Sequence, residues 1–274
     1  MKLVDGTWAG FGVAGNFAGH LEQAGEAKDF ATLKASGTGP KGMFPFHLPI
    51  PGHFLSENPV SDRDLRLPSG AQVQGEPEVA LVGTLDWSMG RPRFLPEAFA
   101  AFDDASIRRE GAPKISVKKH WGPGSKGMSS RWVDLPHGLE AGCPLDSCRI
   151  ASFLHRDGSW KAYGIDSPVL GYSVYGKVLL DWIDDRLATQ ADEGPLEDLP
   201  GLLERSGRPG RAVVTIGATR YTELGESTYL RAGDRFAVVV YDPAKVDAGQ
   251  FGRILEGAAT TEGMSLLVRK VVAG

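Results

Sequence analysis

The 274-residue chain has only two cysteines, no basic run of five or more residues, and no apolar stretch approaching a membrane span. Each shortage excludes something. Cys143 and Cys148 have four residues between them, unlike a zinc knuckle, and no second pair completes a tetrahedral site. They read as structural or incidental thiols, reduced in a cytoplasmic setting. The balance of 30 Lys+Arg against 34 Asp+Glu gives a formal net charge of −4, which argues against a nucleic-acid partner. The opening Met1-Lys2-Leu3-Val4-Asp5-Gly6-Thr7 lacks the apolar core of a signal peptide, and no segment reaches the roughly 18 apolar residues of a membrane helix. The expectation is a soluble, cytoplasmic protein with no membrane partner. No internal repeat and no clear linker interrupt the chain.

What is plentiful is glycine, at 36 residues, and proline, at 18. That composition suits many short strands and tight turns, a mainly β protein with short helices, in the α+β class. Strand candidates are 79–85, 149–154, 160–163, 212–216, 235–241 and 266–272, with Asp157-Gly158 as a hairpin turn. Helical spacing of Val174, Val178, Leu179, Trp182, Ile183 and Leu187 predicts a helix over 172–188. Pro96 to Phe102 predicts a short helix with proline in its first turn. A further helix over 17–28 would be capped by Asn16. Residues 34–75 read as long loops, and 190–210 as a polar excursion holding one short helix. At this length a single domain over 1–274 is expected, with an irregular N-terminal segment to about 75 and a β-rich core from about 76.

Glu76-Pro77-Glu78 stands at the mouth of the apolar run Val79-Ala80-Leu81-Val82. In a strand, residues two apart share a face, so both carboxylates point the same way, about 6–7 Å apart at the backbone. Like charges this close need a cation or a proton between them, and hard oxygen ligands suit Mg²⁺ or Mn²⁺. Glu-x-Glu also occurs on exposed strand faces and at subunit contacts, where arginine or lysine answers it. Pro77 lacks an N–H, which places it at a sheet edge or a bulge.

Several segments in order resemble the fumarylacetoacetate hydrolase superfamily. They are Gly12-Val13-Ala14-Gly15-Asn16-Phe17-Ala18-Gly19-His20, Glu76 to Gly83, Phe102-Asp103-Asp104-Ala105-Ser106-Ile107-Arg108, Lys119-His120-Trp121-Gly122, Arg211 to Thr219, and Tyr229 to Asp234. The similarity covers roughly residues 10–242 and is that of a divergent branch. It implies a mixed β-roll, a homodimer, and a metal triad of Glu76, Glu78 and Asp104 holding Mg²⁺ or Mn²⁺, with Ca²⁺ as a crystal occupant. It also implies a small oxo acid or dicarbonyl substrate, chelated to the ion so that an enolate is stabilised. Lys119 would neutralise a substrate carboxylate or the enolate, and His20 would be the acid–base residue. Asn16, Arg108 and Thr219 would meet substrate. Asp103 reads as a hydrogen-bonding neighbour of the ligand Asp104, and Arg108 equally as a structural partner of a carboxylate.

The chain departs from that pattern at two of these points. The water-activating dyad is implied to be His-x-x-Glu, but Gln23 stands three residues after His20. On a helix, position i+2 faces away, so Glu22 replaces the missing acid only if the segment is a loop, and Glu26 is little better placed. Glutamine orients an imidazole but accepts no proton. The implied Gly-Thr-Pro is Gly217-Ala218-Thr219 here. These changes argue against C–C bond hydrolysis and leave decarboxylation, isomerisation or hydration. A catalytically degenerate scaffold that binds a small anion or a protein partner is the alternative.

Overall fold

The computed structural model describes residues 7–30, 39–109, 111–257 and 262–274. Strands Gly42–His47, Trp8–Ala14, Arg211–Thr215, Pro77–Asp86, Arg93–Asp103, Lys126–Met128 and Val60–Ser61 run in that order across an eight-stranded sheet. Val133–Asp134 pairs beside Arg93–Asp103 as the eighth strand. A five-stranded sheet runs Ser159–Pro168, Arg149–Arg156, Arg235–Tyr241, Met264–Ala273 and Asp64–Leu67. Val73–Gln74 and Ser106–Ile107 form a small ribbon.

Pro77–Asp86 is a central strand, covered on both faces, and it reads as a continuous apolar run for that reason. Val79 and Leu81 enter the largest core, which also takes Val238, Val240 and Leu267 from the second sheet. Ala80 and Val82 face the other way, onto Trp8, Phe46, Ala100 and Phe102. By the same alternation Glu78 belongs to this second face. Helix Gly176–Thr189 buries Leu179, Ile183 and Leu187, one stripe at four-residue spacing, but of the expected apolar face Val174 precedes the helix and Val178 is exposed. The 149–156 and 159–168 strands meet at Asp157-Gly158, both with positive φ, as the hairpin signal required.

Four expectations are corrected. The 96–102 helix is part of strand Arg93–Asp103. Its alanines and phenylalanines are buried on both faces of the sheet, and that packing overrides their helical spacing. Pro96 is accommodated at a register shift, opposite Gly83, where a Cβ would lie 2.1 Å from the Leu95 carbonyl oxygen. The 34–75 region holds strand Gly42–His47, wholly buried, and several shorter strands; its residues 34–38 lie outside the described residues. The 17–28 helix is only His20–Gln23 followed by a 3₁₀ turn, and its cap is Gly19 rather than Asn16. Pro77 lies neither on an edge nor at a bulge. It is the first residue of its strand, beyond the last pairing with Arg211–Thr215 at Ala80.

Candidate metal centre

The hairpin that joins Pro77–Asp86 to Arg93–Asp103 assembles the carboxylates. Pairing of Pro77 with Asp103 brings Asp104 beside Glu76, and the Asp104 N–H donates to the Glu76 carbonyl at 2.9 Å. One oxygen each from Glu76, Glu78 and Asp104 lies within 4.8 Å of the others. An ion with oxygen contacts of about 2.0–2.6 Å fits between donors up to roughly 5 Å apart. All three side chains are buried, at 2 %, 2 % and 0 % exposure. Asp103 turns the opposite way. It accepts the Glu76 N–H at 3.1 Å and pairs with the buried Arg269 at 2.6 Å, the neighbour's role expected of it.

Cations answer the carboxylates. The Lys119 Nζ, at the end of helix Ile115–Lys119, stands 2.5 Å from Glu76 Oε2 and 2.7 Å from Asp104 Oδ2. Lys126 Nζ stands 2.7 Å from Asp104 Oδ1. Neither Asp104 oxygen receives a well-directed hydrogen bond, so both are met by charge more than by geometry. Arg108 spans Glu76 Oε1 at 2.9 Å and Glu26 Oε1 at 2.8 Å, and donates to the Gln74 amide oxygen and the Tyr221 hydroxyl.

These neighbours separate the two glutamates chemically. Burial works to raise the Glu76 pKa, but Lys119 and Arg108 outweigh it and hold the carboxyl well below the ordinary glutamate range. Glu78 goes the other way: burial and the Asp104 charge hold it well above that range. Burial opposes the Lys119 charge, yet Asp104 and Glu76 raise its pKa, so it stays an ammonium. Gly217 donates its N–H to Glu78 Oε2 at 3.0 Å from a backbone at φ +110°, a conformation that suits glycine. The Tyr172 hydroxyl fixes the Gly217 carbonyl from the other side at 2.7 Å.

The other expected site residues divide. His20 is brought to the cluster, with Nε2 3.8 Å from Glu76 Oε2, and its buried Nδ1 has no hydrogen-bond partner. Glu22 is exposed on a helix, turned to solvent. Gln23 does not orient His20: its amide is tied to the Tyr221 backbone at both ends and to Glu226. Glu26 is buried and holds Arg108 and Lys118. Asn16 spends its amide on Val174 and Ile216, bracing the segments around the site. Thr219 is buried beside the Glu strand, its N–H donating to the Pro77 carbonyl at 3.2 Å. Trp121 and His120 hydrogen-bond to the backbone of Arg66 and Phe46.

A model described as a family of unknown function, DUF5718, matches residues 26–271. The chain belongs to that family. No curated protein matches it. Among solved structures it is similar to Cg1458 with inhibitor, at 16 % identity over 98 % of this chain and 77 % of that one, TM-score 0.56. It is similar to 2-keto-3-deoxy-D-arabinonate dehydratase complexed with magnesium and 2,5-dioxopentanoate, at 14 % identity, 98 % and 73 % coverage, TM-score 0.54. A yeast fumarylacetoacetate hydrolase family protein aligns at 12 % identity over 97 % of this chain and 93 % of its own, TM-score 0.53. The chain therefore has the fumarylacetoacetate hydrolase fold that its motifs resembled, a mainly β architecture with short helices.

Sequence reasoning missed several members of the site. Lys126, Lys118 and Tyr221 carry no local signal; they reach the cluster from strand Lys126–Met128, helix Ile115–Lys119 and a bridge to Gly164. Arg269 was legible. It shares strand parity with Leu267 and Val271, both core residues, so an arginine there had to meet a buried acid.

Proposed function

We propose that this chain is a divalent-metal-dependent enzyme acting on a small oxo acid or dicarbonyl through a stabilised enolate. The observation that carries the reading is the convergence of Glu76, Glu78 and Asp104, three buried oxygen donors of the hard type that Mg²⁺ or Mn²⁺ takes. Those three residues would hold the ion, and a bound divalent ion supplies Lewis-acid polarisation of a chelated carbonyl. Lys119, an ammonium held beside Glu76 and Asp104, would neutralise a substrate carboxylate or the developing enolate. His20 stands 3.8 Å from Glu76, itself a candidate ligand, and no separate dyad acid serves it from its own segment: Gln23 is engaged with the Tyr221 backbone and Glu22 faces solvent. Water activation is correspondingly weakened, which favours decarboxylation, isomerisation or hydration–dehydration over hydrolysis. A second reading, a scaffold that binds a small anion without turnover, draws on Lys119 and Lys126, which already neutralise the carboxylates.

Crystals soaked with Mn²⁺ and oxalate test the centre, and a panel of 2-oxo acids followed by NMR with Mn²⁺ tests the chemistry. Anomalous density between the three carboxylates and turnover of a 2-oxo acid are expected. Absence of density at millimolar Mn²⁺ sinks the metal reading; density without turnover on any panel member favours the scaffold.

A further inference from the structure

Arg108, which reaches Glu76, also lines a cavity of about 450 Å³ to which none of the three triad carboxylates contributes. That volume suits a small organic molecule. Its wall is polar and charged, with Arg108, Arg109, Lys118, Gln72, Gln74 and Glu26 among its residues. Two of these cations share one carboxylate. Arg108 meets Glu26 Oε1 at 2.8 Å, and Lys118 meets the same oxygen at 3.0 Å. Burial works to raise the Glu26 pKa, but Arg108 and the neighbouring lysines outweigh it, so the group is ionised.

The cations are built in more firmly than the acid. The Arg108 N–H donates to the Gln72 carbonyl at 2.8 Å, and its guanidinium is also held by the Gln74 amide oxygen, the Tyr221 hydroxyl and Glu76. Lys118 stands on helix Ile115–Lys119. Glu26 instead lies in the turn between helix His20–Gln23 and the 3₁₀ turn Ala27–Phe30. The preceding Gly25 is at φ +70°, and a Cβ there would meet nothing within 4 Å. Ala24, Gly25 and Glu26 all border the cavity, so the turn has open space to move into.

We propose that Arg108 and Lys118 form a seat for the carboxylate of a small organic acid, which Glu26 fills when the cavity is empty and yields when the acid enters. The exchange leaves both cations answered: one charge-assisted carboxylate contact replaces another, and the displaced Glu26 regains water. The seat needs no ion in the triad, so it stands or falls apart from the metal reading. Because Glu26 must first turn away, the apparent affinity is the intrinsic one reduced by the fraction of molecules whose seat is open.

Ligand-observed NMR titrations with EDTA present test this, using propionate as the acid and propionamide as its neutral isostere. Wild type should bind propionate weakly and propionamide not at all. Glu26→Gln keeps the volume and removes the competing charge, so it should bind propionate about tenfold or more tightly than wild type. Lys118→Met should weaken propionate binding in wild type and cancel the gain in the Glu26→Gln background. Should Glu26→Gln fail to fold, Lys118→Met in the otherwise native chain carries the test. Propionamide bound as well as propionate, or propionate binding unchanged by either substitution, overturns the proposal. A wild type that binds no propionate while Glu26→Gln does also overturns it, and marks Glu26 as a fixed structural acid.

Discussion

Replacing Arg269 with methionine should destabilise the protein more than any surface change, although the residue touches no candidate ligand. Arg269 is fully buried, 2.6 Å from Asp103, and donates to the backbone carbonyls of Asp64 and Gly124. Methionine keeps much of the volume and removes the charge, leaving the fully buried Asp103 carboxylate without its cation. Breaking one side of a buried pair costs about 3–5 kcal/mol. At roughly 2–4 °C per kcal/mol for chains of this general size, the melting temperature should fall by about 6–20 °C. Chemical denaturation read by tryptophan fluorescence gives the free energy directly. The double variant Arg269→Met, Asp103→Asn should recover part of the loss, with a coupling of about 0.5–3 kcal/mol, because the orphaned charge is gone. A loss below about 1 kcal/mol for Arg269→Met, or strict additivity in the cycle, would refute the reasoning that this pair is tightly coupled.

Other consequences are open to direct measurement. Because burial and Asp104 raise the Glu78 pKa, the folded chain holds a proton there that the unfolded chain has released. Its contribution to stability is complete below the ordinary glutamate value of 4.5 and is lost as pH rises through the raised value. Glu78→Gln should therefore flatten the alkaline-side decline in melting temperature expected without metal, while abolishing any shift with Mn²⁺; a steeper decline would contradict the sign. Gly217→Ala forces a side chain into φ +110° with its Cβ 3.1 Å from that of Asn16, and should cost about 1–3 kcal/mol in thermal denaturation. A loss under about 0.5 kcal/mol would mean the loop relaxes freely. His20→Gln should lower kcat on the eventual oxo-acid substrate by about 10²–10⁴-fold while Mn²⁺ affinity stays within about twofold. Equal loss of both would mark His20 as a support for Glu76 instead.

The fold was largely legible where the chain alternates or runs apolar. The strands around 79–85, 212–216, 235–241 and 266–272 appear within a few residues of their expected limits. The failures share a physical cause. Residues 96–102 and 42–47 belong to strands buried on both faces, where no polar alternation distinguishes strand from helix or loop. The candidate site was half visible. Glu76 and Glu78 were legible from their two-residue spacing, whereas Asp104 came from the family resemblance, and the hairpin brings it beside them. Lys126, Glu26 and Tyr221 come from distant segments, and only the folded chain juxtaposes them. Glu22 shows the reverse error: adjacency in sequence placed it near His20, and two residues of helix turned it to solvent.

The Asp103-Asp104 doublet offers two aspartates to a candidate site that one of them, Asp104, faces. A strand-register slip of a single residue would still present an aspartate to Glu76 and Glu78, so the ligand set alone accepts two pairings of the hairpin. Arg269 accepts only one. With Asp103 moved into the ligand position, Phe102 would face the guanidinium and strand its charge in the core. The arginine of the last strand thus serves as a proofreader of the hairpin, rejecting a misaligned fold that the carboxylates themselves would tolerate.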